Sequence, residues 1–441
     1  MTFDPIQFLE SKLSSLSIDD YEIYLSESYL LSLEVKDGRM ESLDEAVERG
    51  VAVRLFKKGL CGFSCSSSWE TPLLERMIEL AYESFSILEP GPSYHLPGDH
   101  KVSGKKFSGS SPIVKSQKLE MALAMEQAAR SFDPRIQRVR SAQLSEELKS
   151  IHLKNSRGLD CQDGAAMYEL SMMVVAQEKA EQQMAWESCF SPSFEELQPH
   201  QVAHGAAEKA ISQIGGVPVK TQRASVVLDS MVATSFLGVL SHSFFADQVQ
   251  KNRSALRQQL DKNIYSPSIT LIDDGRLQGG RSTFSFDGEG NQTQRNALVT
   301  QGRLNQFLSD SLSAEEVGQK STGNAVRSSF KESPHVGATN FFILPQKGSL
   351  DHLLQEMGVG FWVRDVIGVH TADPVTGDFS VGASGIWIEG GRRNKPVRGV
   401  TLSGNLHRLF KNVVRVGGET VFYDSFGSPP LLIRELDIGG V

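Results

Sequence analysis

Cysteine is scarce in this chain: four in 441 residues, at Cys61, Cys65, Cys161 and Cys189, with no C-x-x-C pair. That excludes a disulfide framework and a zinc ribbon, and leaves reduced thiols. Long apolar runs are missing too. No stretch of 18 or more apolar residues occurs, and the start MTFDPIQFLESKLSS has neither a basic opening nor an apolar core, which argues against a membrane span or a secretory leader. The expectation is a cytoplasmic, unanchored protein. Positive charge is not in excess either, with 45 Lys and Arg against 53 Asp and Glu, a net charge of −8. A phosphate backbone is therefore not attracted at long range, and direct nucleic acid binding is not expected. The densest basic cluster, GGRRNKPVRG at 390–399, reads as a polar hairpin loop. Two motif classes fail as well. VGASGIW lacks the spacing of a G-x-S-x-G elbow, and GQKSTG lacks the glycine register of a P-loop.

What is present suggests an α+β protein of several domains, since 441 residues exceed one comfortable core. Apolar spacing predicts a helix from Pro5 to about Leu16. YEIYLSE, YLLSLEVKDGRM and GVAVRLFKKGLCGFSCSS then alternate apolar with polar residues around Asp-Gly and Lys-Gly turns, as in a β-meander. Thr71 and Pro72 suit the N-cap and first turn of a helix to about Leu88. The Pro-, Gly- and Ser-rich stretch 89–112 reads as a loop or crossover. A helix near Lys115–Ser131 leads into RIQRVRSAQL, ELKSIHLKNS and MYELSMMVVAQ, so helix followed by meander occurs twice, which hints at a structural duplication. The expected division is an N-terminal α+β domain of helices and antiparallel meanders (1–190), a helical connector (191–222) and a C-terminal β-rich domain entered by helices (223–441).

Two places invite a chemical reading. PHQVAHGAAEKA sets His200, His204 and Glu208 at four-residue intervals on one helix face, a geometry open to a metal ion. The position after the first histidine, where an H-E-x-x-H peptidase carries its general base, is Gln201, and the neighbours suit a solvated face. The second place is His242, after the apolar stripe Val232, Phe236, Val239, Leu240 and Phe244. Periodicity alone makes it a packed or capping histidine.

ASVVLDSMVATSFLGVLSH, FSFDGEGNQTQRNALVTQGRLNQFLSDSLSA, KSTGNAVRSS, GVHTADPVTGDFSVGASGIWIEGG, PVRGVTLSGNL and the closing LLIRELDIGG together resemble the TldD/TldE (PmbA) family, the so-called modulators of DNA gyrase, on its TldE/PmbA side. The resemblance spans most of 220–441. It implies a metallopeptidase family in which the TldD-type subunit holds zinc through an H-E-x-x-x-H helix and a cysteine in the closing segment. The TldE-type subunit lacks these and pairs with it to cleave small or unfolded peptides and mature peptide antibiotics. Aligned on that motif, this chain has His242, then Ser243 in place of the glutamate and Asp247 in place of the second histidine, and no cysteine from Gly404 to Val441. Serine near its ordinary pKa does not replace a carboxylate base at neutral pH.

The resemblance thus implies no catalytic residue and no metal cofactor in this chain, zinc in a TldD-like partner subunit, and a homodimer when isolated. An extended peptide would be guided by 368–384, including His370, Thr371, Asp373, Thr376, Asp378 and Ser380, with the β-rich domain offering sheet edges. Two alternatives stand beside it. One is a stand-alone metallopeptidase with an atypical site at His242 and Asp247 or at His200, His204 and Glu208; the other is a non-enzymatic gyrase-associated regulator.

Overall fold

The computed structural model describes residues 3–89, 91, 95–98, 101–104 and 111–441. Part of the stretch expected as a loop or crossover, 89–112, lies outside these residues. Within it, Lys101–Ser103 forms a short strand parallel to Asp160–Gln162, which alternation in so short a segment did not suggest.

The N-terminal half is one sheet, antiparallel except for the short strand 101–103, built from two meanders. Strands β1 (Asp20–Lys36), β2 (Arg39–Lys57) and β3 (Leu60–Ser66) form the first, between helices α1 (Pro5–Leu13) and α2 (Thr71–Glu83). After β4 (Lys101–Ser103), strands β5 (Ile136–Asn155), β6 (Asp160–Glu178) and β7 (Glu181–Ser191) form the second, between α3 (Lys115–Phe132) and α4 (Pro199–Ser212). They join edge to edge through antiparallel β1 and β5, with Glu22 opposite Asn155 and Val35 opposite Ala142. The duplicated order hinted at by the sequence is therefore present as architecture. Two expectations are corrected. YEIYLSE and YLLSLEVK are one strand of 17 residues, and RIQRVRSAQL and ELKSIHLKNS one of 20, because no turn residue interrupts either alternation.

The helices cover one side. Leu9, Leu13, Leu74 and Met77 pack on the first meander. Ala122, Met125 and Ala129 of α3 and Val202, Ala203, Ala206, Ala207 and Ala210 of α4 pack on the second. Small residues let α4 approach closely, and a side chain at Gly205 would meet Glu187 Cγ at 3.1 Å.

In the C-terminal half, strand β8 (Gln222–Leu228) pairs parallel with 360–367 and antiparallel with 431–439. The strand 392–405 pairs with both 378–389 and 431–439, which closes five strands into a ring. Helix α5 (Ser230–Ser241) packs through Val232, Phe236, Leu237 and Leu240 into a core shared with a second six-stranded sheet. Each such side chain contributes roughly 1.5–3 kcal/mol on burial. At the closure Thr401–Ser403 pairs with Asp437–Gly439, and Val217 bridges to Val397. GGRRNKPVRG is mostly strand, with only the turn at Gly390 and Gly391 as loop.

The halves meet across a buried ionic group. Arg54 donates to Glu22 through Nε at 2.9 Å and Nη2 at 2.6 Å; Arg327 from the C-terminal half donates to the same carboxylate, and Glu289 lies 3.6 Å from Arg54. Burial alone would raise the Glu22 carboxyl, but the Arg54 and Arg327 guanidiniums hold it below the usual range. Arg327→Ala should lower unfolding free energy by about 3–5 kcal/mol in denaturant titration, since Glu22 and Arg54 would stay buried with their network broken.

Asp273 behaves oppositely. Burial pushes its carboxyl up to about 6, against hydrogen bonds from Asn324 and Thr339. The folded chain keeps this proton after the unfolded one, with a pKa of about 3.9, has lost it. Its contribution is thus complete below that value and lost as pH rises through the folded pKa. The stability gap between the protein and its Asp273→Ser variant should narrow between roughly pH 4 and pH 6, measured by urea denaturation.

Candidate functional site

Helix α5 follows β8 directly, with Asp229 at its N-cap position. It does not continue through the segment where a metal-binding helix is expected. His242–Phe244 is a 3₁₀ turn, Phe245 is extended at φ −84° and ψ 124°, and a new helix runs Ala246–Gln250. The cause is a competing partner. The Ala246 N–H donates to the Leu308 carbonyl at 2.8 Å, and the Leu308 N–H to the Phe244 carbonyl at 2.9 Å. Both groups would otherwise serve the i to i−4 ladder. The adjacent Phe244 and Phe245 are both buried, although on one helix they would lie roughly 100° apart. Phe244 packs against Phe341 and Tyr265, and Phe245 against His242.

The motif positions lie on either side of this break. His242 is exposed, its ring 5.3 Å from that of Phe245. Ser243 faces inward, with its hydroxyl oxygen buried and without a partner. Asp247 lies on the next helix and accepts from Gln248 Nε2 at 2.7 Å and Lys251 Nζ at 3.0 Å. The segment thus offers one imidazole, an inward serine hydroxyl and a carboxylate whose Oδ2 is paired with Lys251 while Oδ1 is buried without a partner.

His200 and His204 stand exposed on α4 with ring centroids 6.3 Å apart, and His204 packs on Phe132. Glu208 does not join them. It accepts from Arg364 Nη2 at 2.5 Å and Arg393 Nη1 at 3.0 Å, across the boundary with the C-terminal half. Burial would raise its carboxyl, yet the two arginines hold it below the usual range. Both guanidiniums also lie over Trp362, at 4.6 and 4.8 Å. The face opposite the histidines is buried against the second meander. Among the described residues no three His, Cys, Asp or Glu side chains are grouped to hold a metal ion.

The segment 368–384 packs beside α5, with the Phe379 and Phe236 rings 4.8 Å apart. Most of its marked polar residues shape the loop. Thr371 Oγ1 donates to the Gly368 carbonyl, and Asp373 accepts from the Val375 and Thr376 N–H groups, which hold its carboxyl low. Asn405 Nδ2 donates to the Thr376 carbonyl and to Asp378. His370 and Ser380 are exposed. Sequence reasoning missed His407, half-buried beneath this loop. Its Nδ1 is 3.0 Å from Tyr265 Oη and its Nε2 is buried without a partner; burial lowers its pKa. A side chain at Gly377 would approach its ring at 3.0 Å, and no local spacing signals that packing.

The architecture defines an α+β protein of one long, largely antiparallel sheet and a closed strand ring, with an interrupted helix at the motif position. Family profiles match at three successive stretches: PmbA/TldA metallopeptidase domain 1 over 21–85, the central domain over 110–214 and the C-terminal domain over 221–440. The chain belongs to the PmbA/TldD metallopeptidase family. It is 25% identical to Metalloprotease PmbA of Escherichia coli O157:H7, over 97% of this chain and 94% of that protein. It is 24% identical to a Metalloprotease TldD homolog of Haemophilus influenzae, over 97% and 94%. TldE from Thermococcus kodakarensis shares the fold, with a TM-score of 0.89, 21% identity and coverage of 99% of this chain and 100% of that one.

The contacts separate Glu208 from its histidine neighbours. Glu208→Ala should destabilise by at least about 1–2 kcal/mol, because buried Arg364 loses its carboxylate. His200→Ala and His204→Ala should stay within about 0.5 kcal/mol, as thermal or urea unfolding would register.

Proposed function

We propose that this chain is the TldE/PmbA-type subunit of a cytoplasmic TldD/TldE-like metallopeptidase assembly. A TldD-like partner carries the zinc and its general base, and this chain helps enclose small or unfolded peptides for cleavage. The observation that carries the reading is the side-chain set at the motif position: His242 and Ser243 share one turn with the serine hydroxyl facing inward, and Asp247 on the next helix accepts from Lys251, with no glutamate among them. A metallopeptidase fold with such a segment has scaffolding to offer and no base for water. The segment 368–384, a loop running into the strand 378–389, lies against α5 and is pinned by Asp373 and Asn405, so it presents a fixed surface with exposed His370 and Ser380. Its guiding role is part of the proposal, as is a homodimer when the partner is absent. No helix among the described residues is long and apolar enough to cross a membrane.

Co-expression with a family member that retains an intact H-E-x-x-x-H motif tests this. The two chains should co-elute, the pair should cleave an unfolded peptide, and His242→Ala in this chain should leave that activity within about twofold. Peptidase activity of this chain alone, abolished by His242→Ala, would assign the chemistry to it instead.

A further inference from the structure

A cleft of about 750 Å³ opens between the end of the N-terminal sheet and the strand ring. Along β5, Val139 is buried while Arg138 and Arg140, the latter at a β-bulge, are exposed and both line the cleft. The nearby carboxylates Asp133 and Glu178 are taken by Arg135, at 2.8 and 4.0 Å. Arg140 Nη1 rests 4.0 Å from Met184 Sδ. Arg398 adds a third guanidinium, tied to the Gly216 carbonyl at 2.9 Å and 3.5 Å from Glu181. Asp365 is the one carboxylate lining the cleft, and burial pushes its pKa up.

The rest of the lining suits a peptide. Five glutamines line it; Gln137, Gln177, Gln182 and Gln183 each donate one amide N–H within the chain, to Pro134, Lys179, Gln177 and Glu181, which leaves the second N–H of each amide for a polypeptide carbonyl. Met184 and Ile367 are 52% and 75% exposed, large apolar side chains with room to bury on binding. A side chain at Gly399 would meet nothing within 4 Å, so backbone on that wall is open to approach. This local positive charge sits on a chain of net charge −8.

The geometry points to a binding groove for an extended polypeptide segment that carries carboxylates beside apolar side chains, read by Arg138 and Arg140. Arginine recognises carboxylates through paired N–H groups, while Met184 and Ile367 take the apolar residues between them. A nucleic acid fits less well, because the amide and apolar lining offers phosphates little and the net charge repels them. The groove rests on the peptide-handling reading above, but it is tested without the partner, so failure of pairing and failure of the groove are distinguishable.

Fluorescence anisotropy on the purified full chain, with short labelled peptides of equal length alternating Asp-Val, Ser-Val or Lys-Val, reads the preference. The Asp-Val peptide should bind most tightly and weaken with salt. Arg138→Glu with Arg140→Glu should weaken it roughly tenfold, and Arg138→Lys with Arg140→Lys should keep most of the binding. Unchanged thermal unfolding would show that both variants fold. Equal binding of the three peptides, or indifference to charge reversal, would overturn the groove. Tighter binding of a single-stranded oligonucleotide through the same arginines would also overturn it. So would a homodimer that dissociates on charge reversal in sedimentation, which would assign the cleft to a second copy.

Discussion

Leu308 takes two backbone groups that an uninterrupted helix would need, the Phe244 carbonyl and the Ala246 N–H. The arrangement around the motif position follows from that exchange. Leu308 is fully buried, and Phe244 sits among Phe341 and Tyr265, so the exchange is locked by packing as well as by hydrogen bonds. With the ladder broken, His242 turns to solvent, Ser243 turns inward and Asp247 joins Lys251. On an unbroken helix residues five apart lie roughly 140° apart, so what distinguishes this segment from the H-E-x-x-x-H pattern is the side chains, Ser243 and Asp247, more than the interruption itself.

The two halves are joined by charges with different surroundings. Glu22, Arg54 and Arg327 are almost wholly buried, where removing one partner leaves another without compensation. Glu208 is one-third exposed, but it touches the buried Arg364, and that arginine stacks on Trp362. These contacts draw on β1, β2 and α4 from one half and on strand 360–367 and the neighbourhood of Arg327 from the other. The Arg364 contact with Ser212 ties together two walls of the Arg138 cleft, because Gln213 and Asp365, which line it, directly follow these residues in the chain.

Local patterns were legible in the sequence where one face of an element is covered. The meanders, α3 and the stripe of α5 follow periodicities that burial enforces. The closure of the strand ring was not legible, because a ladder between 401–403 and 437–439 leaves no mark in either segment. His200 and His204 were correctly placed on one helix face, but periodicity could not show that Glu208 belongs to arginines more than 150 residues away in sequence. His242 was found by motif alignment, whereas the break after it depends on Leu308. His407 and Tyr265 meet across 142 residues and carry no local signal. Pairing between distant residues was the missing information throughout.

The most direct measurement is zinc titration of the isolated chain by calorimetry, followed by metal analysis after dialysis, on the protein and on a variant with Ser243→Glu and Asp247→His. The account predicts well under one equivalent of retained zinc for both, since the variant restores a glutamate and a second histidine but no cysteine in the closing segment to complete the ligand set. One tightly held zinc per chain in the unaltered protein, lost on His242→Ala, would contradict it.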